Sequence, residues 1–339
     1  MSNIAIFVLG MHRSGTSALA GALHRLGVKL GDAMMPAAGG INERGFWEHS
    51  DIVGVHERML AALNSSWDDV RRLPDSWWQD DTVRPFRTEL LGILRRDFSS
   101  APLWALKDPR MCRLLPLWLE IIEEVGFTPR FIHIHRHPIE VSSSLEKRDG
   151  FSRVKAMFLW LDHNLSAERS SRSFDRVFIG YDRLLEDTRA TLLRVGNSLN
   201  CAWPRPVEDA MPDLDAFLAP GLRHHVAGED ASDAPAALDD KLIRDTYANL
   251  IAAAGGETSE TRGAFERLDA RFDARVASLD PVLVSHLGDV QKHQEHYRAE
   301  LDRNRAELER IYSSMSWRIT RPMHGISRLF KAMFKRTRM

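Results

Sequence analysis

Short apolar runs alternate with amphipathic stretches as far as about residue 200. The runs 4–9, Leu103–Leu106, Phe131–Ile134 and Val177–Ile179 are too short for buried helices and are predicted as strands covered on both faces. After each comes a stretch with apolar residues three and four apart: Leu19–Leu26, Leu114–Val125, Ile139–Leu145 and Leu184–Leu199. Repeated strand-then-helix units predict an α/β fold, a parallel sheet layered between helices. Ligands of such sheets bind at the carboxyl ends of the strands, and each run is followed there by polar residues.

Three stretches fall outside this rhythm. Residues 41–100 form a tryptophan-rich insertion with Trp47, Trp67, Trp77 and Trp78, where aromatics more often make an internal core than a sugar platform. Residues 203–237, rich in proline, aspartate and alanine, are expected as an irregular lid or connector, with Arg223-His224-His225 in it. From Leu287 to Ile311 apolar residues follow a heptad, with Asn304 at a core position. That pattern fits a coiled coil that joins copies of the chain, or a single helix packed on the domain. The expected divisions are a domain over 1–252, a helical connector over 253–285, a coiled coil over 286–312 and a basic tail over 313–339.

Composition adds limits. The chain has 339 residues with 46 basic against 47 acidic side chains, a balance that marks it as neither disordered nor fibrous; no nucleic-acid partner is expected. Two cysteines, Cys112 and Cys201, are too few for a disulfide framework and suit a reducing cytosol. The first apolar run lacks a basic leader and falls far short of the ~20 residues of a bilayer span. One asymmetry stands out: Trp317–Met339 holds seven Lys or Arg and no acid. Within it Ile326, Leu329, Phe330, Met333 and Phe334 fall on one helical face, a pattern suited to an anionic membrane surface or a docking partner.

The chemistry concentrates at two strand ends. Gly10-Met11-His12-Arg13-Ser14-Gly15-Thr16-Ser17 joins the first strand to a helix start, where glycines let backbone N–H groups converge on an anion. It departs from the nucleotide-kinase loop in placing Thr16 in the lysine slot and a cation, Arg13, inside the loop. After the third strand, Arg136-His137-Pro138 opens a helix with Ser144 two turns on, and Arg136 with Ser144 suits a second phosphate. Two anion sites imply a ligand phosphorylated at two places.

These two motifs resemble the 5′-phosphosulfate loop and the 3′-phosphate motif of sulfotransferases that use 3′-phosphoadenosine 5′-phosphosulfate (PAPS). Gly45-Phe46-Trp47-Glu48, Leu106-Lys107-Asp108-Pro109-Arg110 and Tyr181-Asp182-Arg183-Leu184-Leu185 resemble the bacterial and Golgi-type branch, so that the resemblance covers about residues 1–200. It implies a P-loop-like three-layer α/β/α domain with a helical C-terminal extension. PAPS is the expected donor, no metal is expected, and the expected acceptor is a carbohydrate or glycolipid hydroxyl. By that resemblance Arg13 and Lys107 serve the bridging and sulfuryl oxygens. The amides of Gly10, Ser14 and Gly15, with Thr16 and Ser17, serve the 5′-phosphate. Arg136 and Ser144 hold the 3′-phosphate, and Tyr181 touches the nucleotide or packs.

Glu48 is the first choice for the base, with His49 and His56 as rivals; otherwise Glu48 pairs with an arginine such as Arg44 or Arg13. His133, His135 and His137 alternate on one strand, yet nothing nearby completes a zinc set. Ile311–Pro322 resembles an element that ends bacterial polysaccharide-biosynthesis proteins, and implies a cytoplasmic chain peripheral to the inner membrane. Competing expectations are a P-loop kinase, for which Asp182 would be a Walker-B aspartate, and a non-catalytic coiled-coil scaffold.

Overall fold

The computed structural model describes residues 3–36, 45–218 and 240–279, with helical positions 303, 305, 306, 309 and 310. Four parallel strands, β1 (Ile4–Leu9), β2 (Leu103–Lys107), β3 (Thr128–His135) and β4 (Arg176–Gly180), form one sheet in the order β2-β1-β3-β4. Strand alternation divides the core. Ala5, Phe7 and Leu9 join Trp104, Leu106 and Phe131 on one face, whereas Ile6 and Val8 join Ala105, Ile132 and Ile134 on the other.

The first face is covered by α2 (Ser50–Ala62), α3 (Arg84–Asp97) and α4 (Met111–Val125). The second is covered by α1 (Thr16–Arg25) and by three helices that follow β4. The three layers are those expected. The insertion 41–100 thus supplies two helices of the sheet's own cover, and Trp77 is buried in that shared core with Trp67 and Trp78 against it. Trp47 instead packs with the opposite cluster.

The strand order sets the site. From β1 the chain crosses to β2 at one edge; from β3 it runs toward β4 at the other. Neighbouring strands whose connections diverge leave a crevice at their carboxyl ends, here between β1 and β3. The residues just past those ends are Gly10–Gly15 and Arg136–His137.

Several elements differ from expectation. The stretch 184–199 is not one helix: α7 (Tyr181–Glu186) and α8 (Thr188–Ser198) meet at Asp187, whose extended backbone breaks the run and whose carboxylate accepts the Ala190 N–H at 2.9 Å. Within the supposedly irregular 203–237, α9 (Val207–Phe217) is regular and buries Val207, Ala210, Leu214 and Phe217; Arg223–His225 lie outside the described residues.

Between β3 and β4 stand α5 (Pro138–Asp149) and α6 (Arg153–Ser171). The second carried no amphipathic signal because it is buried nearly all round, Asp162, His163 and Glu168 included. The compact unit runs to Val276, past the boundary expected at 252. It takes in α10 (Asp240–Gly255) and the part of a further helix from 259 that buries Phe265, Leu268 and Phe272. The coiled coil over 286–312 and the tail over 313–339 lie outside the described residues, those isolated positions excepted. No helix among the described residues is long and apolar enough to cross a membrane.

Candidate active site

The loop after β1 is shaped by glycines at two positions. A Cβ on Gly10 would lie 2.4 Å from the Ile134 carbonyl oxygen, and Gly15, at φ +91°, would drive one to 2.2 Å from the Tyr181 ring. Arg13 also has left-handed backbone, at φ +69°. Left-handed residues so placed turn successive N–H groups toward one concavity at the start of α1. The loop is tied down by the Ser14 N–H on the Met11 carbonyl (3.1 Å) and by the Gly10 N–H on Cys112 Sγ (3.2 Å). Ser14 Oγ is buried with no hydrogen-bond partner among the described residues.

The two expected anion sites share a wall. Arg13 Nε donates to Ser144 Oγ at 2.7 Å, and Arg136 Nη1 reaches the Arg13 carbonyl at 3.4 Å. Arg136 lies over the Tyr181 ring, 5.1 Å from its centroid, and Tyr181 closes against Gly15. Glu140, one helical turn on and buried, accepts from Arg136 Nε at 2.6 Å and so orients the guanidinium. Burial, with Arg148 and Arg136 close by, lowers the Arg13 pKa from its ordinary value. Thr16 is buried as the first residue of α1.

The Arg13 side chain thus reaches the α5 side of the loop, whereas Lys107 stands across it. Loop geometry explains it, because His12 and Arg13 fan apart. His12 packs on Trp67 at 4.3 Å and lies in the field of Arg110 and Lys107, burial and those cations holding its imidazole well below the usual pKa.

Across the loop, Lys107 ends β2 buried, not as a surface lysine. Its ammonium donates to Ser17 Oγ at 3.1 Å, to the Phe46 carbonyl at 3.0 Å and to Glu48 Oε1. Glu48 is paired with a lysine, not with Arg13; Arg44 lies outside the described residues. Its other oxygen is 3.8 Å from Arg110 Nη1.

Of the two rival histidines, His56 is engaged at both ring nitrogens and His49 at one. His49 Nε2 meets Asp97 at 2.8 Å. His56 Nδ1 meets Asp108 at 2.7 Å while its Nε2 accepts from Trp118 Nε1 at 2.9 Å, so neither ring nitrogen of His56 is open to a substrate. On β3, His133 bonds Ser171 at 2.8 Å and stacks on Phe178; His137, expected on the same strand, lies past its end as the N-cap of α5, its Nδ1 accepting the Ile139 N–H at 3.3 Å. Asp182 stands in the first turn of α7, not at a strand end.

Sequence reasoning assigned no role to Arg110, Glu140 or His12. Glu140 was legible as an i,i+4 partner of Arg136; Arg110 and His12 carry no periodic signal.

Burial holds His135 and His163 near pKa 4. Unfolded, each takes its proton near 6.5; between those values the unfolded chain binds more protons, and stability falls as pH falls. Each imidazole is expected to cost about 2 kcal/mol at pH 5 relative to pH 7. Urea unfolding at the two pH values checks this, and equal stabilities would refute it. His135→Gln is expected to remove its share of the loss.

No family model and no curated protein sequence matches the chain. Among solved structures, the sulfotransferase domain of the Synechococcus PCC 7002 olefin synthase is similar over 73% of this chain and 96% of its own, at 16% identity and a TM-score of 0.42. The sulfotransferase STF9 of Mycobacterium avium is similar over 63% and 68%, at 17% identity and a TM-score of 0.38. The sulfotransferase STF1 of Mycobacterium tuberculosis H37Rv covers 65% and 77%, at 15% and 0.36. At TM-scores below 0.5 these likenesses assign no activity to the chain.

Proposed function

We propose that the chain is a PAPS-dependent sulfotransferase acting on a hydroxyl group. One observation carries this reading: a glycine-built N–H cradle and a second cationic site, at the ends of adjacent strands β1 and β3, joined through the Arg13–Ser144 bond. A ligand with phosphates at two places satisfies both. The residues fit such a donor, since the orphaned Ser14 hydroxyl and the cradle that a Cβ would fill at Gly10 and Gly15 both suit a phosphate.

A PAPS molecule held there would supply a sulfuryl group for transfer to the acceptor oxygen, with 3′,5′-ADP left as the other product. The loop N–H groups not already held by Cys112 Sγ or the Met11 carbonyl, with the Ser14 and Thr16 hydroxyls, would bind the 5′-phosphate; Arg136 and Ser144, steadied by Glu140, would bind the 3′-phosphate. Tyr181 keeps the loop and Arg136 in register. Lys107 and Arg13 would place positive charge where negative charge develops on the bridging and sulfuryl oxygens, and Glu48 would accept the proton of the acceptor hydroxyl at a carboxylate oxygen.

The acceptor class, carbohydrate or glycolipid, and a cytoplasmic position peripheral to the inner membrane rest on Ile311–Pro322 and the basic end of the chain. Calorimetry tests the donor: 3′,5′-ADP is expected to bind without metal and Mg-ATP not to bind. The reverse result would favour a kinase, which Thr16 in the lysine slot opposes.

A further inference from the structure

Lys107 has three N–H donors and no acceptor, and three protein oxygens already surround it: Ser17 Oγ, the Phe46 carbonyl and Glu48 Oε1. Its side chain is 3% exposed. A sulfuryl oxygen therefore reaches Lys107 only by displacing one of them. The Phe46 oxygen is backbone, and Ser17 is itself anchored by donating to that oxygen at 3.1 Å. Glu48 is the ligand that can leave: it is an anion beside an arriving anion, and its second oxygen already faces another cation, Arg110 Nη1, at 3.8 Å.

Arg110 is largely buried and held by two carboxylates. Its Nη1 and its backbone N–H both donate to Asp108 Oδ1 at 2.9 Å, and Nε donates to Glu57 at 2.6 Å. Asp108 is held by His56, and His56 by Trp118. The five N–H groups of a guanidinium are not exhausted by these two carboxylates.

We propose that Arg110 is a positioning residue: donor binding draws Lys107 onto the sulfuryl oxygens and passes Glu48 to Arg110, where its carboxylate is free to meet the acceptor hydroxyl. Without donor, Lys107 engages Glu48, and the base is not yet available. This rests on the PAPS reading and adds to it an order, donor before acceptor, written in the hydrogen-bond capacity of one lysine.

Titrations of PAPS and of 3′,5′-ADP, which lacks the sulfuryl group, test the idea without turnover. Glu48→Gln removes the competing charge and is expected to tighten PAPS ~3- to 10-fold with 3′,5′-ADP unchanged. Arg110→Met removes the seat and is expected to weaken PAPS by ~10-fold, again sparing 3′,5′-ADP, whose binding also reports that the variant is folded. In Glu48→Gln/Arg110→Met the effect of Arg110→Met is expected to vanish. Arg110→Lys, which keeps a charge beside Asp108 and Glu57, serves if Arg110→Met does not fold, and is expected to weaken PAPS alone. The proposal is overturned if the Arg110 variants weaken both ligands alike, if their effect persists with Gln at position 48, or if Glu48→Gln leaves PAPS affinity where it was. Wild-type protein that binds neither ligand would instead overturn the donor reading.

Discussion

Glu48→Gln is expected to lower turnover at saturating PAPS by ~10²-fold or more while 3′,5′-ADP binds as in the wild type. The amide keeps the shape and hydrogen-bonding reach of the carboxylate but takes no proton at neutral pH. The position is buried on a segment whose Phe46 carbonyl still holds Lys107 in place after the substitution. The competing role, in which Glu48 merely neutralises Lys107, has a different signature. In either role the buried Lys107 ammonium loses its counter-charge, at roughly 3–5 kcal/mol of stability; only the competing role spares the rate once donor is bound. Turnover is therefore measured well below the unfolding temperature, with the unfolding midpoint recorded beside it. A near-normal rate would remove Glu48 from the role of base. His56 could not then replace it, since Asp108 and Trp118 hold both its ring nitrogens.

The sheet was legible because its strands are short, apolar on both faces and bounded by polar residues, the one pattern that needs no partner to interpret. Each strand lies where its run falls, with ends that reach up to three residues further, as at Thr128 in β3. Helices were legible only where burial is one-sided. The sixth helix, with charged residues turned inward toward Arg113, Arg172 and Arg176, presents no stripe to read. The loop after β1 and the motif after β3 were visible as motifs; their joining was not, because the Arg13–Ser144 contact spans 131 residues and depends on β1 lying beside β3. The carboxylate of Glu48 was visible too. That its partner is Lys107 follows from the insertion folding back over the end of β2, a tertiary fact with no trace in spacing.

Gly15→Ala is expected to abolish tight nucleotide binding. Two costs coincide at this position. At φ +91° any side chain is strained, by roughly 1–2 kcal/mol for a non-glycine residue in left-handed backbone. The new Cβ would also sit 2.2 Å from Cδ2 of Tyr181, a contact that real atoms do not make, and overpacking of this kind costs about 1–3 kcal/mol. Tyr181 has little room to yield, because it is buried, lies under the Arg136 guanidinium and belongs to a short helix packed on β4. Any relief must come from the loop or from Arg136, which are the two halves of the proposed phosphate grip. Together the terms correspond to a loss of 3′,5′-ADP affinity of ~10²-fold or more, at ~1.4 kcal/mol per factor of ten. Calorimetric titration reads it directly, and an affinity within ~3-fold of wild type would show that the cradle does not need this geometry. Pairing the change with Tyr181→Ala separates the two costs: the clash disappears, the backbone strain stays, and affinity is expected to return only in part. Full recovery would mean that the ring alone enforces glycine at this position, and no recovery that left-handed backbone does.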